Sequence, residues 1–583
     1  MFPHDRPWDK NLQLMLVAII AFNTFPLFTE IPPWASALTV GFLGWKSLYL
    51  WRGVKRPPRW LLWMIVIAGA IGVFATYGTI IGQEAASALL VVLTSAKLLE
   101  TNRYRDAMIV IFTSYFLLMA HLLTSQSLLS TVYMATDVML ITSLMFQAHK
   151  SDRRTSIRSL RPVMKLLALA IPVWVFLFIA FPRFSTGALN LTQTKKAASG
   201  FSDNLNPGEV EKLAETDEPA FRATFKSAIK PPMEALYWRG AVLTESDGLR
   251  WQRPRNDRDL LAASTTRAIQ PTRFDYQISL EPSYRNWLFL LDYPEAITLD
   301  TNDLKAKERF GFVYETNRES ISRLFYDGVS TDLAPNQDLS QAAQISLTQL
   351  PEELDPRILA LASELRAKAE KAPGPPAIAD RVTNEILDWF VANEFRYTKE
   401  PGAFTDPSGS QQLTKFLFER KRGFCEHYAA AFATLARAAG IPSRVTVGFH
   451  GGKINEIGDY VLVRSLDAHA WTEVWREESG TTGRGRWTRV DPTSVVAPLR
   501  LRIGGDFNLL DPEFQNSSAD EYQRRIAGGL AVFTLRLEFA WDAVQMKWNA
   551  FLNNYDFEFQ RALLNSLGLE GMSKFLLGSI ALL

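Results

Sequence analysis

Seven apolar segments follow one another in the first third of the chain, at about 12–28, 34–51, 60–81, 85–99, 107–124, 128–147 and 163–182. Most approach the ~20 residues that an α-helix needs to cross a bilayer, and so many in series do not fit a set of buried core helices. In hydrocarbon every backbone N–H and C=O must be satisfied within the segment, which leaves helices as the solution here. The expectation is therefore an α-helical transmembrane bundle over residues 1–182. The first segment lacks a small-residue cleavage site and runs straight into the next, so it reads as a span and not as a signal peptide. The overall composition, 47% hydrophobic and 21% charged, averages over this sharp division from the soluble-like residues 183–573.

Charge in the connecting loops sets the orientation. Arg52, Lys55, Arg56 and Arg59 crowd the second loop, Arg103 and Arg105 the fourth, and Lys150, Arg153, Arg154, Arg158 and Arg161 the sixth. The alternate loops 29–33, 82–84 and 125–127 carry no Lys or Arg. Positive loops face the cytoplasm, so residue 183 is expected outside, and the lipid bilayer is the first partner. Segment 85–99 is short and carries Lys97, but omitting it would put the 150–161 loop on the wrong side. His121 and Asp137 lie within spans, where ionisable groups are often functional. Two scattered groups form no evident relay, and Lys46 and Lys97 near cytoplasmic ends can snorkel, so transport is the weaker reading. A net charge of +2 and no basic face with interleaved aromatics give no case for nucleic acid.

Residues 183–217 are polar and read as a linker. Residues 218–335 read as a small β-rich external domain: Phe221, Ala223 and Phe225 alternate with polar partners, and Tyr237–Leu243 and Gly248–Trp251 flank a turn at Glu245-Ser246-Asp247. Trp238 and Trp251 suit a glycan or peptide platform, although core packing is the commoner role of such residues. A helical linker, 336–376, contains the amphipathic run Leu354 to Ala372, broken at Pro373-Gly374-Pro375-Pro376. A compact core is expected at 377–503, a helical region at 504–573 and an apolar tail at 574–583. The run Phe575 to Leu583 is too short to cross a bilayer, which suits a partial span or a truncated chain.

The chemistry concentrates between Arg422 and Thr493. The chain's one cysteine, Cys425, stands in R-G-F-C-E-H-Y-A-A-A-F. Tyr428, Phe432, Leu435 and Ala439 then recur at helical spacing until Gly440-Ile441-Pro442 stops the helix. A cysteine in a helix's first turn feels the positive end of the dipole, which stabilises thiolate and brings the thiol below its usual pKa of about 8.5. Val-rich, strand-like runs follow at Arg444 to His450 and Asp459 to Leu466. His469 and Asp491 lie beyond them, on His469 to Trp475 and beside Trp487 to Val490. A helix packed on an antiparallel sheet would unite thiol, imidazole and carboxylate, the parts of a nucleophilic acyl-transfer site. A buried structural cysteine is the bland alternative.

The six histidines narrow the choice of base. His4, His121 and His149 fall at the N-terminus, in a span and at a cytoplasmic loop. His427 is two residues past Cys425, roughly 200° away around a helix, and reads as structural. His450 is the reserve candidate. One cysteine cannot form an internal disulfide, and no clustered Cys or His spacing suggests a metal, so neither a metal nor another cofactor is expected.

The motifs G-F-C-E-H-Y-A-A-A-F, D-A-H-A-W-T-E-V-W and R-W-T-R-V-D-P-T resemble the transglutaminase-like core over roughly 377–500. With the membrane and C-terminal flanks, they look most like the bacterial membrane-anchored TgpA-type transglutaminases. The insert R-E-E-S-G-T-T-G-R-G-R between Trp475 and Trp487 departs from the pattern and reads as a longer hairpin loop. The resemblance implies an α+β, papain-like catalytic core and selects His469 as the base by its D-A-H-A-W context. It further implies γ-glutamyl transfer from glutamine to an amine, with envelope protein or peptidoglycan peptide as substrate and an inner-membrane protein whose catalytic domain faces the periplasm. A cysteine peptidase or amidase would use the same triad, with water replacing the amine. A non-catalytic envelope scaffold is the reading from another class.

Overall fold

A computed structural model describes residues 8–180, 204–509 and 539–548, short internal stretches excepted, the longest at 150–159 and 261–270. The chain divides into two compact units, Met1–Lys196 with Val544–Leu583, and Ala197–Ala543.

In the first unit all seven apolar segments are helices: α1 Lys10–Thr24, α2 Pro33–Arg52, α3 Arg59–Tyr77, α4 Gln83–Glu100, α5 Tyr104–Thr124, α6 Leu128–His149 and α7 Leu160–Ala180. Among the described residues four stretches are long and apolar enough to cross a membrane: Lys10–Thr29, Trp60–Tyr77, Tyr104–Leu122 and Leu128–His149. Some polar groups inside the unit find partners, which lowers the cost of burying them. Asp137, 0% exposed, accepts from Asn23 Nδ2 at 2.5 Å, and His121 meets the Tyr133 ring edge-on. Lys46 does not snorkel. It is 1% exposed, and its Nζ donates to the Thr101 carbonyl at 2.6 Å, satisfying a carbonyl at the C-terminal end of α4.

The second unit is built on two six-stranded antiparallel sheets. Its main strands are β1 Pro219–Phe225, β2 Tyr237–Leu243, β3 Arg273–Leu280, β4 Leu290–Leu291, β5 Tyr293–Leu299, β6 Leu324–Thr331, β7 Gln337–Asp338, β8 Ser443–His450, β9 Lys453–Asn455, β10 Tyr460–Arg464, β11 Ala468–Glu477 and β12 Arg484–Val490. The strand order is β7-β12-β11-β8-β2-β4 in one sheet and β9-β10-β1-β3-β6-β5 in the other. The sequence reading set 218–335 apart from 377–503, but each sheet draws strands from both regions. Phe221 of β1 packs against Trp238 of β2 and Phe449 of β8, joining the inner faces of the two sheets. Trp238 and Trp251 are both 0% exposed and belong to this core. The described part of the expected linker also contributes, since Asn204–Leu205 pairs with Arg250–Gln252.

Helices α8 Pro356–Lys371, α9 Ile378–Ala392 and α10 Cys425–Ala438 pack beside the first sheet. With α10 on one face and the second sheet on the other, β8 is buried at every residue, so it lacks the alternation of a half-exposed strand. Gly448 admits a close approach. It pairs with His469, the ladder to β2 shifts register there, and a Cβ would lie 2.0 Å from the Trp238 carbonyl.

Three adjacent strands meet in a buried ionic cluster. Glu473 of β11 accepts from Arg444 Nε of β8 at 2.7 Å and from both terminal nitrogens of Arg239 on β2, and all three are at most 1% exposed. Burial works to raise the Glu473 carboxyl, but the two guanidiniums outweigh it and hold the group at about 2. Glu473→Gln leaves two buried cations short of a partner and should destabilise the unit by about 3–5 kcal/mol, read by denaturant unfolding. The carboxylate's contribution is complete above its unfolded pKa near 4.5 and is lost as pH falls through about 2, so the Gln variant should also lack that acid-dependent loss.

Candidate active site

Cys425 is the first residue of α10, with Phe424 in extended backbone as its N-cap. The bend before it needs a small residue: a Cβ on Gly423 would lie 2.8 Å from both His427 Cβ and Phe416 Cε2. His427 turns back to cap its own helix, its Nδ1 accepting from the Phe424 N–H at 3.2 Å. Burial lowers its pKa to about 3, so it is a neutral capping group. The helix is seated on the sheet by Thr472 Oγ1, which donates to the Ala429 carbonyl at 2.9 Å.

His469 and Asp491 meet across neighbouring strands. His469 Nε2 lies 2.7 Å from Asp491 Oδ2. A carboxylate only accepts, so Nε2 carries the hydrogen and Nδ1 keeps its lone pair. Nδ1 is buried and has no hydrogen-bond partner among the described residues. The backbone N–H of Ala470, the next residue on β11, faces the Cys425 thiol. The thiol therefore sits against the strand that carries the imidazole.

Two further tyrosines complete the surroundings. Tyr237 of β2 donates its hydroxyl to Asp491 Oδ2 at 2.8 Å, and the Thr493 N–H donates to Oδ1 at 2.9 Å. Arg489 lies 3.9 Å over the Tyr237 ring and binds Asp292. A strand from the β-rich region thus holds the carboxylate that orients the imidazole. Tyr397 faces the thiol from a short strand, Arg396–Tyr397, that runs parallel to Arg422–Gly423. Sequence reasoning missed both: Tyr237 is separated from Asp491 by 254 positions, and its Y-W-R-G-A-V-L run reads only as a strand. His450 lies near the site, its ring 4.3 Å from Tyr237 and 5.4 Å from His469, but it does not bond Asp491.

The electrostatics correct one expectation. The thiol was expected below its usual range, but Cys425 is 0% exposed, and burial with the neighbouring Glu426 carboxylate pushes it up to about 12 despite the Ala470 N–H and Arg500. Glu426 is itself buried, accepting from the Val210 N–H at 3.0 Å. Burial likewise lowers His469 against the pull of Asp491. Burial also works to raise Asp491, but His469, His450 and the Tyr237 hydroxyl outweigh it and hold the carboxyl well below the usual range. At neutral pH the closed site holds a neutral thiol, a neutral imidazole and a carboxylate.

Comparison with known proteins decides the lineage. The family model for the TgpA N-terminal domain matches residues 15–337, and that for the transglutaminase-like superfamily matches 366–492. A protein-glutamine gamma-glutamyltransferase from Pseudomonas aeruginosa is 31% identical over 543 residues, covering 92% of this chain and 77% of that protein. The chain belongs to the TgpA-type transglutaminase family. It is an enzyme of the transglutaminase-like class. The uncharacterized protein YebA of Bacillus subtilis is 31% identical over 150 residues, 25% of this chain and 18% of its own. The crystal structure of the periplasmic domain of TgpA from Pseudomonas aeruginosa bound to ethylmercury is 34% identical, with a TM-score of 0.44, covering 52% of this chain and 99% of that one. In this TgpA-type chain, the C-E-H-Y, D-A-H-A-W and V-D-P-T motifs carry the three side chains described above.

Proposed function

We propose that this chain is a membrane-anchored protein-glutamine γ-glutamyltransferase that works through a thioester at Cys425. The observation that carries the reading is the fixed imidazole: His469 gives its Nε2–H to Asp491 and keeps a free Nδ1, while the next backbone N–H faces the Cys425 thiol. As sulfur attacks the glutamine γ-carbonyl carbon, its proton passes to Nδ1 and the carbonyl electrons move to oxygen. The tetrahedral species collapses with cleavage of the C–N bond, and the Nδ1 proton leaves on ammonia. A primary amine then attacks the thioester, gives a proton to Nδ1, and expels the sulfur, which recovers that proton. Asp491 stabilises the transient imidazolium throughout.

The helices of the first unit and the Lys/Arg-rich alternate loops support a multi-pass protein of the bacterial inner membrane with the second unit outside. Envelope protein or peptidoglycan peptide is then the accessible substrate. Spheroplasts expressing the chain, given a glutamine-containing donor peptide and a membrane-impermeant primary amine, test chemistry and side together. The expected result is an amide joining the two, with one ammonia released per bond. Glutamate formed in place of the amide would make the enzyme a hydrolase of the peptidase or amidase type. Product only after lysis would reverse the topology. Absence of both products, with no labelling of Cys425 by a thiol-directed amide probe, would leave a non-catalytic scaffold.

A further inference from the structure

Arg500 lies on a short helix, α11 Pro498–Ile503, and is 0% exposed. Its Nη2 reaches the carbonyls of Asp467 and Ala468, at 3.5 and 3.4 Å, on the stretch leading directly into His469. Its Nε and Nη1 have no hydrogen-bond partner among the described residues. A guanidinium stays charged at any working pH and carries five donors. Burying it with donors unmet is costly unless a nearby negative charge compensates.

The neighbouring anions are committed elsewhere. Asp467 accepts from the Arg464 and Gly505 backbone N–H groups, and Asp491 from His469, Tyr237 and Thr493. Cys425 is different, since it is neutral at rest and turns anionic only during the proposed reaction. The groups facing it are Tyr397, Glu426 of its own helix, Asp491, Arg500 and the Ala470 N–H. His469 in turn faces Asp491, Arg500, Tyr237 and His450. Among the described residues Arg500 is the cation common to both sets.

We propose that Arg500 is a positioning residue of the acyl-transfer site, its buried guanidinium serving as the fixed counter-charge to the anion that forms at Cys425. The inference rests on the thioester reading. Its charge opposes the burial that raises the thiol and adds to the burial that lowers His469. One charge therefore eases formation of the thiolate and makes the protonated imidazole a better acid toward the departing ammonia. Both ionisations move down together, so removing the charge moves both up.

The test compares wild type, Arg500→Lys and Arg500→Gln in the full chain purified in detergent. Both variants lose the guanidinium's hydrogen bonds, but only Gln loses the charge. The readouts are the pH midpoint of Cys425 alkylation by iodoacetamide and the acidic limb of kcat/KM. Arg500→Gln should shift both upward by about one pH unit, whereas Arg500→Lys should stay within a few tenths of wild type. Equal midpoints in the two variants would overturn the proposal. So would a chain that fails to fold with Gln or with both, because the charge would then serve the fold and not the thiol. In either case, continued turnover through Cys425 in wild type leaves the thioester reading standing.

Discussion

Cys425→Ala is expected to eliminate turnover, a loss on the order of 10⁶-fold, because no other group in the site can form the acyl intermediate. The chain contains one cysteine, so the variant has no thiol to substitute and gives no background in alkylation. The fold should survive. Cys425 is 0% exposed within the α10–sheet contact, and deleting its thiol group to leave a methyl side chain costs on the order of 1 kcal/mol. Ammonia release from a glutamine peptide reads the chemistry, and the thermal midpoint reads the fold. Cys425→Ser keeps the size and should be as inactive, since a hydroxyl is a much weaker acid than a thiol and gains nothing from this imidazole at neutral pH. Full activity in either variant would remove the mechanism.

The sequence made the local pieces of this site readable. Tyr428, Phe432 and Leu435 recur at helical spacing, and Gly440-Ile441-Pro442 ends the helix where α10 ends. The Val-rich run after Arg444 signals a strand, and the turn of a helix predicts that His427 points away from Cys425. What lay outside local pattern was partnership. Phe221, Ala223 and Phe225 alternate as a half-buried strand should, but nothing in their spacing says that β1 pairs with β10, more than two hundred residues later. For the same reason Tyr237 could not be connected with Asp491, and the two regions read as separate domains. Burial was the second hidden quantity. The cysteine's place at a helix start was legible, but its 0% exposure, which reverses the expected shift of its pKa, arises only when Glu426, β11 and the 396–397 strand close around it.

His469→Ala should cut turnover by about 10⁴–10⁶-fold, because the imidazole moves a proton in both halves of the reaction. The variant should also raise the pH midpoint of Cys425 alkylation. Without the Nδ1 lone pair the thiol must ionise into a site where burial and the Glu426 carboxylate already push it up to about 12. The two other histidines of the second unit test the assignment. His427 supplies a helix cap through the Phe424 N–H, so His427→Ala should cost about 1 kcal/mol of stability and leave the midpoint near wild type. His450 lies 5.4 Å from His469, but burial and His469 itself hold its pKa well below the ordinary value, so it is neutral and contributes no charge to the thiol. His450→Ala should therefore also leave the midpoint near wild type. Asp491→Asn separates orientation from proton transfer. It keeps the thiol and the imidazole but cannot stabilise the imidazolium, so some alkylation should persist while turnover falls by about 10²–10⁴-fold. The decisive comparison is the alkylation midpoint across the three histidine variants in the full chain. A large upward shift in His427→Ala or His450→Ala, with none in His469→Ala, would assign the base to another ring and leave Asp491 orienting an imidazole that is not the base.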